Sequence, residues 1–215
     1  ADSRKIFYRE LAARFGYLNA TTWNIGEENG WEKDPTYGKS ITTDQRKQFA
    51  AYLSNLLPYD ELIVVHNGPS STDAIFKDLV GDPSYSGISF QGNYQDVTHG
   101  YERMLYWRNE SAAAGRPWVV TYDEPYSGPE FPEMHVWRKN ALWASLMAGA
   151  AGMEVYIGKG EDLVIQDYRK YAAYWEIMNH AKNFFTESGI PFHQLNPIPA
   201  EGNNAWVLSA NEEVF

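Results

Sequence analysis

Cysteine is absent from this chain of 215 residues. Its absence excludes disulfide bonds, thiolate metal sites and cysteine nucleophiles. The glycine motifs that bind phosphates are also missing, because neither G-x-G-x-x-G nor G-x-x-x-x-G-K-[ST] occurs, and this argues against a nucleotide site. The sequence contains no apolar run as long as a membrane span and does not open on a signal peptide. We therefore expect no membrane partner.

Basic residues are few, with 18 Lys and Arg against 28 Asp and Glu, so the formal net charge is -10. An acidic chain repels nucleic acids, and we expect no nucleic-acid partner. Hydrophobic residues make up 44% and charged residues 21%, which is typical of a globular protein with a substantial core. Aromatic residues are abundant at 15%, and this suits either a core with amphipathic rims or a cleft in which sugar rings stack.

Hydrophobic periodicity predicts alternating helices and strands along the chain. Helices are predicted over 4–16, 44–57, 72–80, 99–114, 136–150 and 166–186. Strands are predicted over 20–25, 62–65, 88–91, 117–122 and 153–157. In the first helix, one face is expected to carry Ile6, Phe7, Leu11 and Phe15. The second helix has the clearest apolar stripe and is preceded by a capping box formed by Thr42 and Gln45.

A helix followed by five strand–helix units predicts a parallel α/β sheet. Two architectures fit this order, a doubly wound open sheet and part of an eight-stranded α/β barrel. Residues 1–190 would form this domain. Residues 191–215 contain Pro191, Pro197 and Pro199 and the apolar run AWVLS, which predict a linker and the beginning of a β-rich module.

Polar side chains with catalytic potential follow the predicted strands at the points where the strands end. In chain order they are Glu27, Glu28, His66, Asn67, Gln91, Asp123 and Glu124. In α/β barrels the carboxyl ends of the strands converge on one mouth, which is the active site. Two opposed carboxyl groups are the minimum equipment for cleavage of a glycosidic bond. In such a barrel, carboxylates from two non-adjacent strands would face each other across the mouth.

The strand TTWNIGEEN resembles the fourth strand of clan-A glycoside hydrolases, which are cellulase-like retaining barrels. Their pattern is roughly W-x-L-x-N-E, to which Trp23, Ile25 and Glu28 correspond, whereas Glu27 replaces the family's Asn. PWVVTYDEPYSG is similar to the seventh strand, whose nucleophilic glutamate falls on Glu124. The motifs FYRELAARFG, IVVHNGP and ALWASLMAGAAGMEVYIG also resemble a bacterial group of glycosidase-like barrels that a collagen-binding-like β-domain often follows.

This resemblance covers about residues 5–190 and implies the C-terminal half, strands 4–8, of a (β/α)8 TIM barrel. Strands one to three would lie on a separate chain or in a further portion of the protein. The resemblance implies a retaining hydrolase of β-glycosidic bonds with Glu28 as acid/base, Glu124 as nucleophile and no cofactor. It also implies a secreted or periplasmic bacterial protein.

The remaining site residues are expected to contact the sugar. They are Glu27, His66, Asn67, Gln91, Trp31, Tyr126 and Tyr156. Glu27 is also an alternative acid, since a neighbouring negative charge raises a carboxyl pKa. Asp123 competes with Glu124, because neighbours on a strand point to opposite sides. No metal site is expected, since no His-x-His pair occurs. A non-catalytic carbohydrate-binding barrel and a metal-dependent barrel hydrolase are the alternatives.

Overall fold

A computed structural model describes residues 2–29, 41–68, 71–125, 133–154, 167–199, 205–210 and 213–214 of the chain. The protein is of mixed α/β class with parallel strand pairs, as the sequence predicts. It consists of two compact units, the first formed by residues 1–91 and 107–120 and the second by residues 92–106 and 121–215. In the described part of the chain no helix combines the length and the hydropathy needed to cross a membrane.

The helices are α1 Asp2–Phe15, α2 Thr43–Ser54, α3 Thr72–Phe76, α4 Val97–Gly100, α5 Glu102–Ala113, α6 Met134–Trp137, α7 Ala144–Met147 and α8 Ala172–Glu187. The strands are β1 Thr22–Asn24, β2 Leu62–Val64, β3 Gly87–Gln91, β4 Val119–Glu124, β5 Gly152–Met153, β6 Asn196–Ile198, β7 Val207–Ala210 and β8 Glu213–Val214. Single 3-10 turns occupy Lys77–Leu79, Tyr168–Tyr171 and Phe192–Gln194.

The first unit is built on parallel strands. β1 pairs with β2 in the register Trp23↔Ile63, and isolated parallel bridges continue the pattern beyond the strands at Asn29↔Asn67 and His66↔Ser89. All five residues of β3 are buried. Such strands are typical of a sheet that is covered on both faces. The carboxyl ends of β1, β2 and β3 therefore lie side by side in this unit.

Helix α2 begins within one residue of its predicted start and ends at Ser54, three residues before its predicted end. Thr42 accepts a hydrogen bond from the backbone N–H of Gln45, and the Gln45 side chain accepts one from the backbone N–H of Thr42, so the capping box is complete. The inward face carries Phe49, Ala50 and Leu53 at helical spacing.

The predicted inward face of helix α1 is wrong. Ile6, Phe7 and Phe15 are exposed at 53%, 57% and 45%, and the buried residue is Tyr8. Tyr8 packs its ring edge-on against Phe49 and donates its hydroxyl to the carbonyl of Ile25. A tyrosine can bury its ring and still satisfy its hydroxyl, which a count of aliphatic spacing overlooks.

The second unit contains a parallel pair and a long composite helix. Tyr122 of β4 lies opposite Met153 of β5. The helix comprises α6, a π-helical segment over Arg138–Trp143 and α7. Gly100 at the end of α4 packs so closely on this segment that a Cβ atom there would lie 2.0 Å from the carbonyl oxygen of Asn140. Only glycine permits that approach.

The tail forms an antiparallel sheet in the order β6–β7–β8. The run AWVLS, at which the sequence predicts the beginning of a β-rich module, contains the first residues of β7. Pro197 lies on the edge strand β6, where its missing N–H is tolerated. Beneath the sheet, a small apolar cluster consists of Leu195, Leu208 and Ala210 with Met147, Ile190 and Phe192 packed against it. The domain boundary near residue 190 stays a prediction.

Candidate active site

The strand ends of the first unit bring together five of the predicted site residues. Glu27 and Glu28 follow β1, His66 and Asn67 follow β2, and Gln91 is the last residue of β3. Backbone bonds join these ends, because His66 donates to the carbonyl of Gly26 at 3.2 Å and accepts from the N–H of Asn29 at 2.9 Å. We call this group, Glu27, Glu28, His66, Asn67 and Gln91, the strand-end cluster.

Glu28 is half-buried and has an unusual backbone. Its φ of 39° lies in the left-handed region, which is rare for a residue with a side chain. The side-chain amide of Gln91 donates to Oε1 of Glu28 at 3.2 Å. Gln91 is itself only 2% exposed, and the side chain of Asn67 bonds both its backbone N–H and its carbonyl. Backbone and side chain together fix the direction of the Glu28 carboxyl group.

His66 links Glu27 to the interior of the unit. Its Nδ1 lies 2.8 Å from the hydroxyl of Ser89, and its Nε2 lies 3.3 Å from a carboxyl oxygen of Glu27. The three linked side chains Ser89, His66 and Glu27 do not form a nucleophilic triad. In a triad the serine would be accessible to substrate, whereas here Ser89 is buried and Glu27 is exposed. The arrangement instead holds the imidazole ring so that it faces the Glu27 carboxylate. Glu27 and His66 also have the chemistry of metal ligands.

Asn67 is fully buried and shapes the end of β3. Its carboxamide oxygen accepts from the backbone N–H of Gln91 at 2.7 Å, and its Nδ2 donates to the Gln91 carbonyl at 3.1 Å. The same Nδ2 is within hydrogen-bond distance of Gly68 and Thr72. These contacts give Asn67 the role of fixing the Gln91 backbone. Its predicted contact with a substrate stays a prediction.

Three residues behind the strand-end cluster were not identified from the sequence. Asn29 is buried and follows Glu28, and its side-chain oxygen accepts from Nε of Arg46 at 3.1 Å. The Ser71 hydroxyl donates to the Asn29 carbonyl at 2.8 Å. One feature of the sequence could have identified Arg46, namely its position on α2. It lies three residues before Phe49, in register with the apolar stripe, and a charged residue in such a register indicates a buried polar contact.

In the second unit, Glu124 is the last residue of β4 and is 7% exposed. Burial alternates along the end of β4, so Tyr122 and Glu124 are buried whereas Asp123 is partly exposed. This agrees with the expectation that the two acidic neighbours point to opposite sides. Burial, with a smaller contribution from the charge of Asp96, raises the pKa of Tyr122, which keeps its hydroxyl protonated.

Three aromatic residues predicted to contact a sugar lie outside the described residues. They are Trp31, Tyr126 and Tyr156. Their contribution to the site stays a prediction.

Comparison with known proteins gives no relative for this chain. No family model, no curated protein and no solved structure matches it. The function therefore has to be argued from the site itself.

Proposed function

We propose that the protein is a retaining glycoside hydrolase that cleaves β-glycosidic bonds, with Glu28 as acid/base and Glu124 as nucleophile. In this proposal the α/β chain is the C-terminal half of a (β/α)8 barrel. The remaining three strands lie on a separate chain or in a further portion of the protein. The resemblance of two strand motifs to clan-A hydrolases motivates both parts of the proposal.

The observation that carries the proposal is the strand-end cluster. Two carboxyl groups, an imidazole and two buried amides lie at the ends of neighbouring parallel strands, all at the carboxyl edge. In barrels this edge forms the active site. Glu28 combines a strained backbone with a fixed side-chain donor from Gln91, and strained residues occur preferentially at functional sites. Glu27 lies beside it but contacts Asn24 and His66 instead.

The proposed reaction is a double displacement. Glu28 donates its proton to the departing glycosidic oxygen while the carboxylate of Glu124 attacks the anomeric carbon, which forms a covalent glycosyl-enzyme. Glu28, now ionised, removes a proton from water, and the hydroxide displaces Glu124 and restores the starting protonation states. Gln91 holds the Glu28 carboxyl group, and Glu27 with His66 contacts hydroxyl groups of the sugar.

The first test is a screen of β-linked aryl glycosides and plant, fungal and marine polysaccharides with the full-length protein. On a substrate that is cleaved, Glu28→Gln and Glu124→Gln are each expected to lower kcat by roughly 10³-fold or more, since each removes a carboxyl group that the chemistry requires. Glu110→Gln, on the exposed surface of α5, is the matched control and should retain full activity.

The outcomes separate the alternatives. Binding of a polysaccharide without cleavage, unchanged in both variants, would favour the non-catalytic carbohydrate-binding barrel. Activity that disappears on addition of EDTA would favour the metal-dependent hydrolase. The proposed mechanism requires that EDTA leaves turnover unchanged and that both Gln variants still bind the substrate.

A further inference from the structure

The turn that carries Glu28 adopts a conformation that the chain must actively maintain. A φ of 39° places the Cβ atom of Glu28 close to its own backbone, which costs energy for every residue except glycine. A negative φ carries no such cost, so Glu28 would adopt one if the surrounding residues did not prevent it. The neighbours therefore have to hold it.

Asn29, the residue that follows, is held at its N–H, its carbonyl and its side-chain oxygen. Its N–H donates to the carbonyl of His66 at 2.9 Å. Its carbonyl accepts from the N–H of Gly68 and from the hydroxyl of Ser71, both at 2.8 Å. Its side-chain oxygen accepts from Nε of Arg46 at 3.1 Å. Buried groups that are held in this way cannot shift without losing hydrogen bonds.

Arg46 is suited to hold the turn because it is itself fixed. It is 4% exposed on the inward face of α2. It lies one turn after the N-cap residue Thr42, to whose carbonyl it donates its backbone N–H at 2.9 Å. Its carbonyl accepts from the hydroxyl of Tyr85 at 3.1 Å, and its Nη1 lies 3.4 Å from the hydroxyl of Thr43. The guanidinium group is planar and loses little freedom when it makes such a bond.

We infer that Arg46 and Ser71 are positioning residues, which act through Asn29 to hold Glu28 in its left-handed conformation. Arg46 acts on the side chain of Asn29 and Ser71 acts on its carbonyl, from two different parts of the unit. This fixes the Glu28 carboxyl group against the amide of Gln91. The catalytic consequence rests on the proposed function, whereas the conformational claim does not.

The conformational claim is tested by thermal unfolding of Glu28→Gly and Glu28→Ala in the full-length protein. Glycine tolerates a positive φ and alanine does not, so the Gly variant is expected to melt about 2–4 °C above the Ala variant. In an Arg46→Leu or Ser71→Ala background the turn relaxes, and the advantage of glycine should vanish or reverse. Ser71→Ala removes one oxygen atom and supplies the test if Arg46→Leu does not fold.

Ser111→Ala is the matched control. Ser111 is also buried and its hydroxyl donates to the carbonyl of Trp107 at 2.8 Å, on helix α5. This change should lower the melting temperature of both Glu28 variants equally and leave their difference intact. If Arg46→Leu and Ser71→Ala also leave the difference intact, or if glycine gives no advantage in the parent protein, the inference is overturned.

The catalytic consequence has its own readout. With Glu28 unchanged, Ser71→Ala is expected to lower kcat by roughly 10- to 100-fold with KM unchanged, because displacement of a reacting group affects the chemical step. Ser111→Ala should change neither constant. A rise in KM with kcat unchanged would overturn the positioning role. If no glycoside is cleaved at all, the proposed function fails while the melting temperatures still decide the conformational claim.

Discussion

At the scale of single residues, Glu27 and Glu28 are neighbours in different surroundings. Glu28 is half-buried and receives the amide of Gln91, whereas Glu27 is exposed and faces His66 and Asn24. The sequence motif leaves either residue as the acid. Only Glu28 combines a fixed side-chain donor with a strained backbone, and both features favour a fixed, reproducible carboxyl direction. These differences are the reason for assigning the acid/base role to Glu28.

His99 is expected to make the stability of the protein depend on pH. Burial lowers its pKa below the ordinary 6.5, Arg103 adds to the effect and Asp96 opposes it. Its Nδ1 accepts from the backbone N–H of Asn93 at 2.9 Å, which requires an unprotonated nitrogen. The unfolded chain therefore takes up the proton first. The contribution to stability is complete above about pH 6.5 and is lost as pH falls from there towards the folded pKa.

The measurement is the melting temperature of wild type and His99→Asn between pH 7.5 and pH 5, with each value referred to pH 7.5. The wild type should lose more stability than the variant over this range. Asparagine can still accept the Asn93 hydrogen bond and does not titrate. Carboxylates remote from His99 therefore affect both proteins alike, and only Asp96, whose pKa is lowered mainly by its hydrogen bond from Thr98 and in part by His99, is altered with it. A parallel decline of the two curves would show that His99 is not responsible.

At the scale of elements, the N-terminus of α2 is expected to contribute measurably to stability. Thr42→Ala removes the hydroxyl that accepts from Gln45, and the free energy of unfolding should fall by about 1 kcal/mol. Chemical denaturation of Thr42→Ala and Thr42→Ser measures this effect, since serine preserves the cap. Equal losses in the two variants would mean that the methyl group of Thr42, and not its hydroxyl, is responsible.

Three helical segments show which features of a helix the sequence predicts and which it does not. The capping box of α2 is a local signal, and the structure confirms it. The predicted apolar stripe is confirmed at Phe49 and Leu53, whereas the helix ends at Ser54, before the predicted stripe residues Leu56 and Leu57. In α1 the pattern of aliphatic and aromatic residues gave the wrong inward face, because tertiary contacts to Ile25 and Phe49 select Tyr8. The π-helical turn over Arg138–Trp143 depends on hydrogen bonds between residues five apart, for which the sequence carries no periodic signal.

The proximity of the predicted residues could be inferred where they follow a strand, whereas the contacts behind the strands could not. The residues of the strand-end cluster lie at the ends of buried runs. Because parallel strands share a carboxyl edge, these residues are expected to lie close together. The inferred role of Asn29, Ser71 and Arg46 is to hold the backbone at Glu28. This role depends on contacts between segments that are distant in the sequence, which a local pattern does not reveal. The positive φ of Glu28 also arises from those contacts, since no glycine or asparagine marks the position.

At the scale of the whole molecule, the proposed activity makes few demands on partners. The net charge of -10 disfavours polyanions, and a neutral carbohydrate is compatible with it. A double displacement by two carboxyl groups needs no cofactor. The half-barrel interpretation has the larger consequence, because an eight-stranded barrel closes only when all eight strands are present. In that interpretation, residues outside this sequence complete the substrate cleft.

The most direct test of the central claim is to trap the covalent intermediate. A 2-deoxy-2-fluoro analogue of whichever glycoside the protein cleaves is incubated with the full-length enzyme, and the labelled peptide is identified by mass spectrometry. We predict one adduct on Glu124, absent from Glu124→Gln and removed on further incubation with water as the acceptor. An adduct on another residue, or a first-formed product of inverted anomeric configuration, would contradict the account.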